Sequence, residues 1–227
     1  MSLVIYGAVF WILALITIVL KSSESLKTKT GLMKLVKPIP ALAGAIFVLI
    51  TPPSLNLFFI LLAIALIFCA FGDLGMEVNI LPGLGLFLFA HIFFTIDFLW
   101  QSILLAPTIL AIGLFAICIL GMLTYIFLYQ RYLKTTTKDV LPTLLKAVNV
   151  YALMISLTLS TSLLLWLTTG EILGVIPFIG AVFFVISDSM IGIREFHHDF
   201  SNAEVLILST YYLSIFLLSL SVLAYIF

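Results

Sequence analysis

The sequence is short of charge and short of cysteine. Lys, Arg, Asp and Glu together make up 9% of its 227 residues, where a soluble domain carries about a quarter. That is too little charge to cover a water-facing surface, which excludes a cytosolic enzyme and a disordered chain. Neither sign is in excess, with ten Lys+Arg against ten Asp+Glu. There is therefore no basic footprint for nucleic acid. The two cysteines, Cys69 and Cys118, lie inside long apolar runs and make neither a disulfide framework nor a Cys-rich metal site. A G-x-S-x-G elbow, an H-E-x-x-H helix and a P-loop are also missing, which argues against serine-hydrolase and nucleotide-driven chemistry. Gly83-Leu84-Gly85 lacks both a third glycine and a preceding strand, so it is no dinucleotide site.

What the chain has in abundance is apolar sequence: 64% hydrophobic residues and a mean hydropathy of +1.35. A membrane-spanning helix needs roughly 20 such residues, so the length accommodates about eight. Polar and Pro/Gly breaks place the spans near residues 3–20, 36–51, 55–74, 80–97, 102–129, 142–168, 172–191 and 203–226. The expected fold is all-α, a polytopic membrane bundle forming a single domain over residues 1–227 with no soluble part. The first 20 residues carry no Lys or Arg before Lys21, so they read as a retained span and not as a secretory signal.

The basic residues orient the bundle. Lys21, Lys27, Lys29, Lys34 and Lys37 lie in or beside the first connection, Arg131, Lys134, Lys138 and Lys146 around the fifth, and Arg194 in the seventh. With eight spans, all of these connections share one side. By the positive-inside rule that side is cytosolic, and both termini are expected on the opposite side.

Polar residues inside the spans need a partner, a wet cavity or an interfacial position, because an ionisable group in hydrocarbon costs about 2.5–3.5 kcal/mol. Asp73 ends the third span and Asp188 lies a turn before the end of the seventh. Both sit near helix C-termini, where a carboxylate opposes the macrodipole. Lys37 opens the second span ahead of Pro38, His91 lies deep in the fourth, and Asn149 and the pair Tyr211-Tyr212 lie about two turns inside the sixth and eighth. Together they point to a polar pocket opening to the cytosolic leaflet. The blander reading makes them interfacial: a snorkelling Lys37, aspartates at helix ends and an aromatic belt. Glu77 reads as a solvated loop residue or a neighbour of Asp73, and Asp97 and Glu171 as structural residues near the outer face. His197-His198-Asp199 reads as a solvated loop, since adjacent histidines seldom converge on one ion without further ligands.

At these residues the sequence resembles the lysoplasmalogenase family, the YhhN-like multi-spanning proteins. Lys37-Pro38 is similar to the family's K-P element, Gly72-Asp73 to its G-D element, and Phe87 through Ala90-His91 to its F-x-x-A-H segment. Gly180-Ala181 through Phe184 to Ser187-Asp188, with Arg194 and Phe196 beyond, resembles a G-A-x-x-F-x-x-S-D stretch, and Tyr211-Tyr212 match tyrosines of the last span. Phe94 departs from the pattern, standing where many members carry tyrosine. The resemblance implies hydrolysis of the vinyl ether of lysoplasmalogens in a lipid bilayer, releasing a fatty aldehyde and glycerophosphoethanolamine or glycerophosphocholine. No cofactor and no metal are expected, and the expected location is a bacterial inner membrane, crossed several times.

A vinyl ether opens by protonation of its outer alkene carbon, so the site needs a proton donor, an anion near the resulting cation, and water. Asp73 and Asp188 are the expected pair, with no assignment of which donates. His91 is the expected water-orienting or proton-relaying group. Lys37 is expected on the lipid phosphate, and Asn149, Tyr211 and Tyr212 on the glycerol or water. Two alternatives stay open at this point: a transporter of a small lipid or solute, and a metal-dependent hydrolase using His91, His197 or His198 with the aspartates.

Overall fold

The computed structural model describes residues 2–23, 30–135 and 142–225. Lys27, Lys29 and Lys138 lie outside the described residues. Among those described there is no strand. The helices are α1 (Leu3–Ser22), α2 (Thr30–Val36), α3 (Ile39–Ile50), α4 (Leu57–Met76), α5 (Ile80–Leu104), α6 (Ile109–Leu133), α7 (Pro142–Thr169), α8 (Val175–Phe196), α9 (Ala203–Ser219) and α10 (Ser221–Ala224), with a 3₁₀ turn at Ile172–Gly174. They make eight segments long and apolar enough to cross a membrane. The chain is an integral, multi-pass membrane protein.

Short polar side chains start several of these helices. Ser2 accepts from the Ile5 amide, Asn56 from Phe59, Asn79 from Leu81 and Thr108 from Ala111, at 3.0–3.3 Å. Each satisfies an amide that the helix leaves without a partner, which matters where no water can replace it. Helix ends differ from the sequence expectation in the second, fourth and seventh spans and in the fifth, which runs Ile109–Leu133 and not 102–129. The fourth span continues past Asp97 to Leu104, and the chain turns at Ala106, whose φ of 55° precedes Pro107. The seventh span runs on to Phe196, which puts Arg194 inside the helix, where it pairs with Glu204 at 2.9 Å. The second span is broken. Pro38 and Pro40 lack amide hydrogens, and the chain turns at Lys37-Pro38 between α2 and α3.

Contacts between distant connections define the two ends of the bundle. Lys21 at the end of α1 meets Glu77 at the end of α4, and the Tyr132 ring at the end of α6 stacks on His197 at 4.4 Å. At the other end the Tyr225 hydroxyl donates to the Gly174 carbonyl, and its ring meets Phe58 edge-on. The lysine-bearing connections therefore do share one end, as alternating spans require.

Two glycines bring α4 and α5 together. A Cβ on Gly75 would stand 2.7 Å from Gly83 Cα, so only bare backbone fits at this crossing. The interior of the bundle is aromatic and aliphatic, with Tyr6, Phe47, Phe59, Phe94, Phe98 and Tyr212 fully enclosed. By contrast α6 turns most of its surface outward; Ile109, Leu110 and Ile117 are 65–91% exposed. An apolar face of that kind is normal where the surrounding solvent is lipid.

Candidate functional site

The site begins with α4. Its one-turn spacing puts Cys69 and Asp73 on the same face, and both are buried. Asp73 is 1% exposed, and its Oδ2 accepts from the Tyr211 hydroxyl at 2.9 Å. Lys37 reaches in from the break between α2 and α3. Its Nζ stands 4.0 Å from Asp73 Oδ1 and donates to Glu77 Oε1 at 3.1 Å. Lys21 donates to both Glu77 oxygens at 2.9 Å. Tyr212 points elsewhere than its neighbour and donates to the Lys37 carbonyl at 3.1 Å, which ties the broken segment to α9.

Glu77 is thus neither solvated nor incidental. Its side chain is 7% exposed and holds two ammonium groups together. Burial works against its charge, but the Lys37 and Lys21 ammoniums outweigh that penalty and hold the carboxyl below its ordinary range. Lys37, expected on a lipid phosphate, is already matched by Glu77, so a phosphate there would compete with an internal carboxylate.

A second cluster is built on α8. Asp188 Oδ2 accepts from the Tyr151 hydroxyl of α7. The same hydroxyl lies 3.1 Å from His91 Nε2, and His91 Nδ1 lies 3.1 Å from Thr158 Oγ1. Thr158 in turn meets Thr95 at 3.0 Å. A single hydrogen-bonded line therefore joins α8, α7 and α5. His91 is fully buried and both its ring nitrogens are occupied. Its nearest polar partners are therefore side chains of α7, Tyr151 and Thr158.

Phe184 stands between the two clusters, 4.5 Å edge-on from His91 and 5.6 Å from Tyr211. Asp73 is bonded to Tyr211 and Asp188, through Tyr151, to His91. The two carboxyl groups do not, however, share one recess. A cleft of about 720 Å³, counting its open mouth, runs between α5, α6, α7 and α8, and Asp188 is the sole acidic residue in its lining. Its walls are apolar, with Leu84, Met122, Ile126 and Ile155 among them, and Tyr125, Tyr129 and Tyr151 near the carboxyl. Tyr125 and Tyr129 of α6 hydrogen-bond to Ser189 at 2.6–2.7 Å, fastening that peripheral helix to α8 beside Asp188. Phe87 forms the wall on the other side. Its ring lies over Gly72, where a Cβ would come within 2.8 Å, and packs edge-on to Tyr211. Asp73 is behind that wall.

Compared with models of protein families, residues 32–222 match the YhhN family. The chain belongs to the YhhN family. The match runs from α2 to α10 and so takes in both clusters and the cleft. This family includes lysoplasmalogenases, so membership points to a hydrolase. No curated protein and no solved structure matches the chain.

Within this YhhN chain the expected residues divide into three groups. Asp188 lines the cleft; Asp73, Lys37, Tyr211 and Tyr212 form the ionic cluster behind it; His91 sits beneath Asp188. Asn149 belongs to none of these. It is exposed, is absent from the cleft lining and accepts from Gln130 of α6 at 2.8 Å. Asp97, expected near the outer face, is 1% exposed inside the extended α5, and its Oδ2 has no hydrogen-bond partner among the described residues. His197 and His198 meet through their Nδ1 atoms at 2.7 Å, and Thr135 takes His197 Nε2. Among the described residues no three His, Cys, Asp or Glu side chains converge as metal ligands would.

Tyr151, Thr158 and Thr95 were not anticipated from sequence. The available signal was spacing. Tyr151 and Thr158 are seven apart on α7 and Thr95 is four beyond His91 on α5, so each pair shares a helix face.

Proposed function

We propose that this YhhN protein hydrolyses the vinyl ether of lysoplasmalogens, with Asp188 as proton donor and Asp73 as the companion anion. One observation carries the reading: the cleft presents a single carboxyl, Asp188, at the head of an apolar groove of lipid-chain calibre. The alkenyl chain would lie along the Met122, Ile126 and Ile155 wall and the headgroup at the lysine-bearing end. That end is read as cytosolic, because Lys and Arg gather there.

The chemistry follows from the two environments. Asp188 gives its proton to the outer alkene carbon, and the C=C electron pair forms the new C–H bond. The inner carbon and ether oxygen then share the positive charge as an oxocarbenium ion. Asp73 has Lys37 and Tyr211 as partners and no exposure to the cleft, which suits a fixed anion that acts through space and not by contact. Water attacks the inner carbon and returns its proton to Asp188. As the hemiacetal's C–O bond breaks, Asp188 protonates the departing oxygen and the carboxylate takes the hydroxyl proton in turn, leaving aldehyde and glycerophospho-alcohol.

Mass spectrometry of products from purified protein tests this. Lysoplasmalogen should yield fatty aldehyde, and a 1-acyl lysolipid should yield no fatty acid. Asp188→Asn should lower turnover about 10²–10⁴-fold, the range for loss of a general acid. Fatty acid release from the acyl lipid, or full activity in Asp188→Asn, would overturn the reading.

A further inference from the structure

The two oxygens of Asp188 are not equivalent. Oδ2 is taken by the Tyr151 hydroxyl, while Oδ1 has no partner among the described residues and Asp188 itself lines the cleft. Tyr151 is also fixed from behind. A carboxyl oxygen is the best acceptor its hydroxyl meets, so its hydrogen points to Oδ2 and its oxygen accepts from His91 Nε2–H. His91 Nδ1 is then the ring's acceptor and lies 3.1 Å from the Thr158 hydroxyl, which also reaches the His91 and Met154 carbonyls and Thr95. Every member of this line is buried except the carboxyl at its head. Burial leaves Tyr151 and His91 no water to turn to, so the hydroxyl and the ring bond to each other and to Asp188.

We propose that Tyr151, aligned by His91, is a positioning residue that reserves Oδ2 of Asp188 and so keeps the transferable proton on Oδ1, facing the cleft. The assignment deepens the vinyl-ether reading and rests on it for its catalytic meaning. Its geometry is separate, because the hydrogen bonds exist whatever the substrate. When Asp188 is protonated, the O–H bond is on Oδ1 and breaks as the alkene C–H bond forms. The resulting carboxylate keeps the Tyr151 bond, and the proton from the captured water returns to Oδ1. Tyr151 and His91 gain and lose no proton in the cycle. Without Tyr151 the carboxyl could turn or carry its proton on Oδ2, away from the alkene.

Tyr151→Phe in the purified full-length protein tests this with two readouts. The ring and its packing stay, and only the hydroxyl is lost. Turnover of lysoplasmalogen should fall about 10–100-fold, part of the contribution of a well-placed general acid, with KM changed less than about twofold, as for an interaction used mainly in the transition state. His91→Gln should lower turnover less, and the double variant should be no slower than Tyr151→Phe alone, because His91 acts through Tyr151. Thr158→Val provides a second, milder perturbation of His91 should His91→Gln fail to fold. Infrared difference spectra give the readout that needs no turnover. The carboxyl band identified by its loss in Asp188→Asn should move in Tyr151→Phe and move the same way, by less, in Thr158→Val. An unmoved band, wild-type turnover in Tyr151→Phe, or losses that multiply in the double variant would overturn the assignment. A band that moves in protein releasing no aldehyde would uphold the hydrogen-bond assignment and overturn the reaction.

Discussion

Lys37 Nζ stands 4.0 Å from Asp73 Oδ1, beyond hydrogen-bond distance but well inside the range where unlike charges attract in a buried setting. The contact joins a break in the second membrane segment to the end of the third, and Glu77 takes the hydrogen bond that Asp73 does not. Lys37 therefore faces two carboxylates at once, and its loss leaves a buried pair with only Lys21 to balance it.

Lys37→Met should accordingly destabilise the protein by about 3–5 kcal/mol, the usual cost of removing one partner from a buried ion pair. Aldehyde release per folded molecule should fall as well, because Asp73 loses the charge that holds it in place. Thermal unfolding in lipid nanodiscs, set beside turnover, checks both. Unchanged stability would mean that the Lys37–Glu77–Asp73 cluster is not formed in the membrane.

Acid should loosen the same cluster. The folded-state value of Glu77 is depressed by Lys37 and Lys21. Its stabilisation is therefore fully present above the unfolded-state value of about 4.3 and is lost as pH falls through the lower folded value. Melting temperature should drop below about pH 4 in the wild type. Glu77→Gln should already be less stable at neutral pH and show a smaller acid-dependent drop. The difference between the two pH profiles is the measurement.

Gly75→Ala should push α4 from α5, since its new methyl meets the Gly83 backbone at 2.7 Å and no side chain there can swing aside. A loss of about 1–3 kcal/mol is expected for such overpacking. Gly85→Ala, where a Cβ meets nothing within 4 Å, is the control and should be near neutral.

Asp97→Leu should raise stability. The carboxyl is 1% exposed and its Oδ2 is unpartnered among the described residues, so an apolar replacement removes a desolvation cost of about 1–3 kcal/mol. A chemical or thermal melt checks the sign, and a marked loss of stability would show that Asp97 has a partner in the membrane.

Much of this was legible in the order of residues. The eight apolar runs and their polar breaks define the spans, and the clustering of lysines defines the two ends, because bilayer thickness and the cost of buried charge act on sequence directly. Asp73, Asp188, Lys37 and His91 stood out for the same reason: an ionisable side chain in hydrocarbon needs an explanation. Where the helices end was less legible. The fourth and seventh spans ran past Asp97 and Arg194, because one helix tolerates a charge that another helix can cover or pair.

Which polar residues meet was decided by packing alone. A tyrosine or threonine in an apolar run looks the same whether it faces lipid or another helix, so Tyr151 and Thr158 gave little sign of their link to His91. Asn149, two positions from Tyr151, looked the stronger candidate and points outward, because a step of two along a helix turns a side chain to nearly the opposite face. The sequence by itself determined that this is a membrane bundle with carboxyl groups it must accommodate. Only the tertiary structure decided that Asp188 faces the cleft while Asp73 is enclosed with Lys37 and Tyr211, since that depends on how α4, α8 and α9 rotate about their axes to bury Phe87 and Phe184 between them.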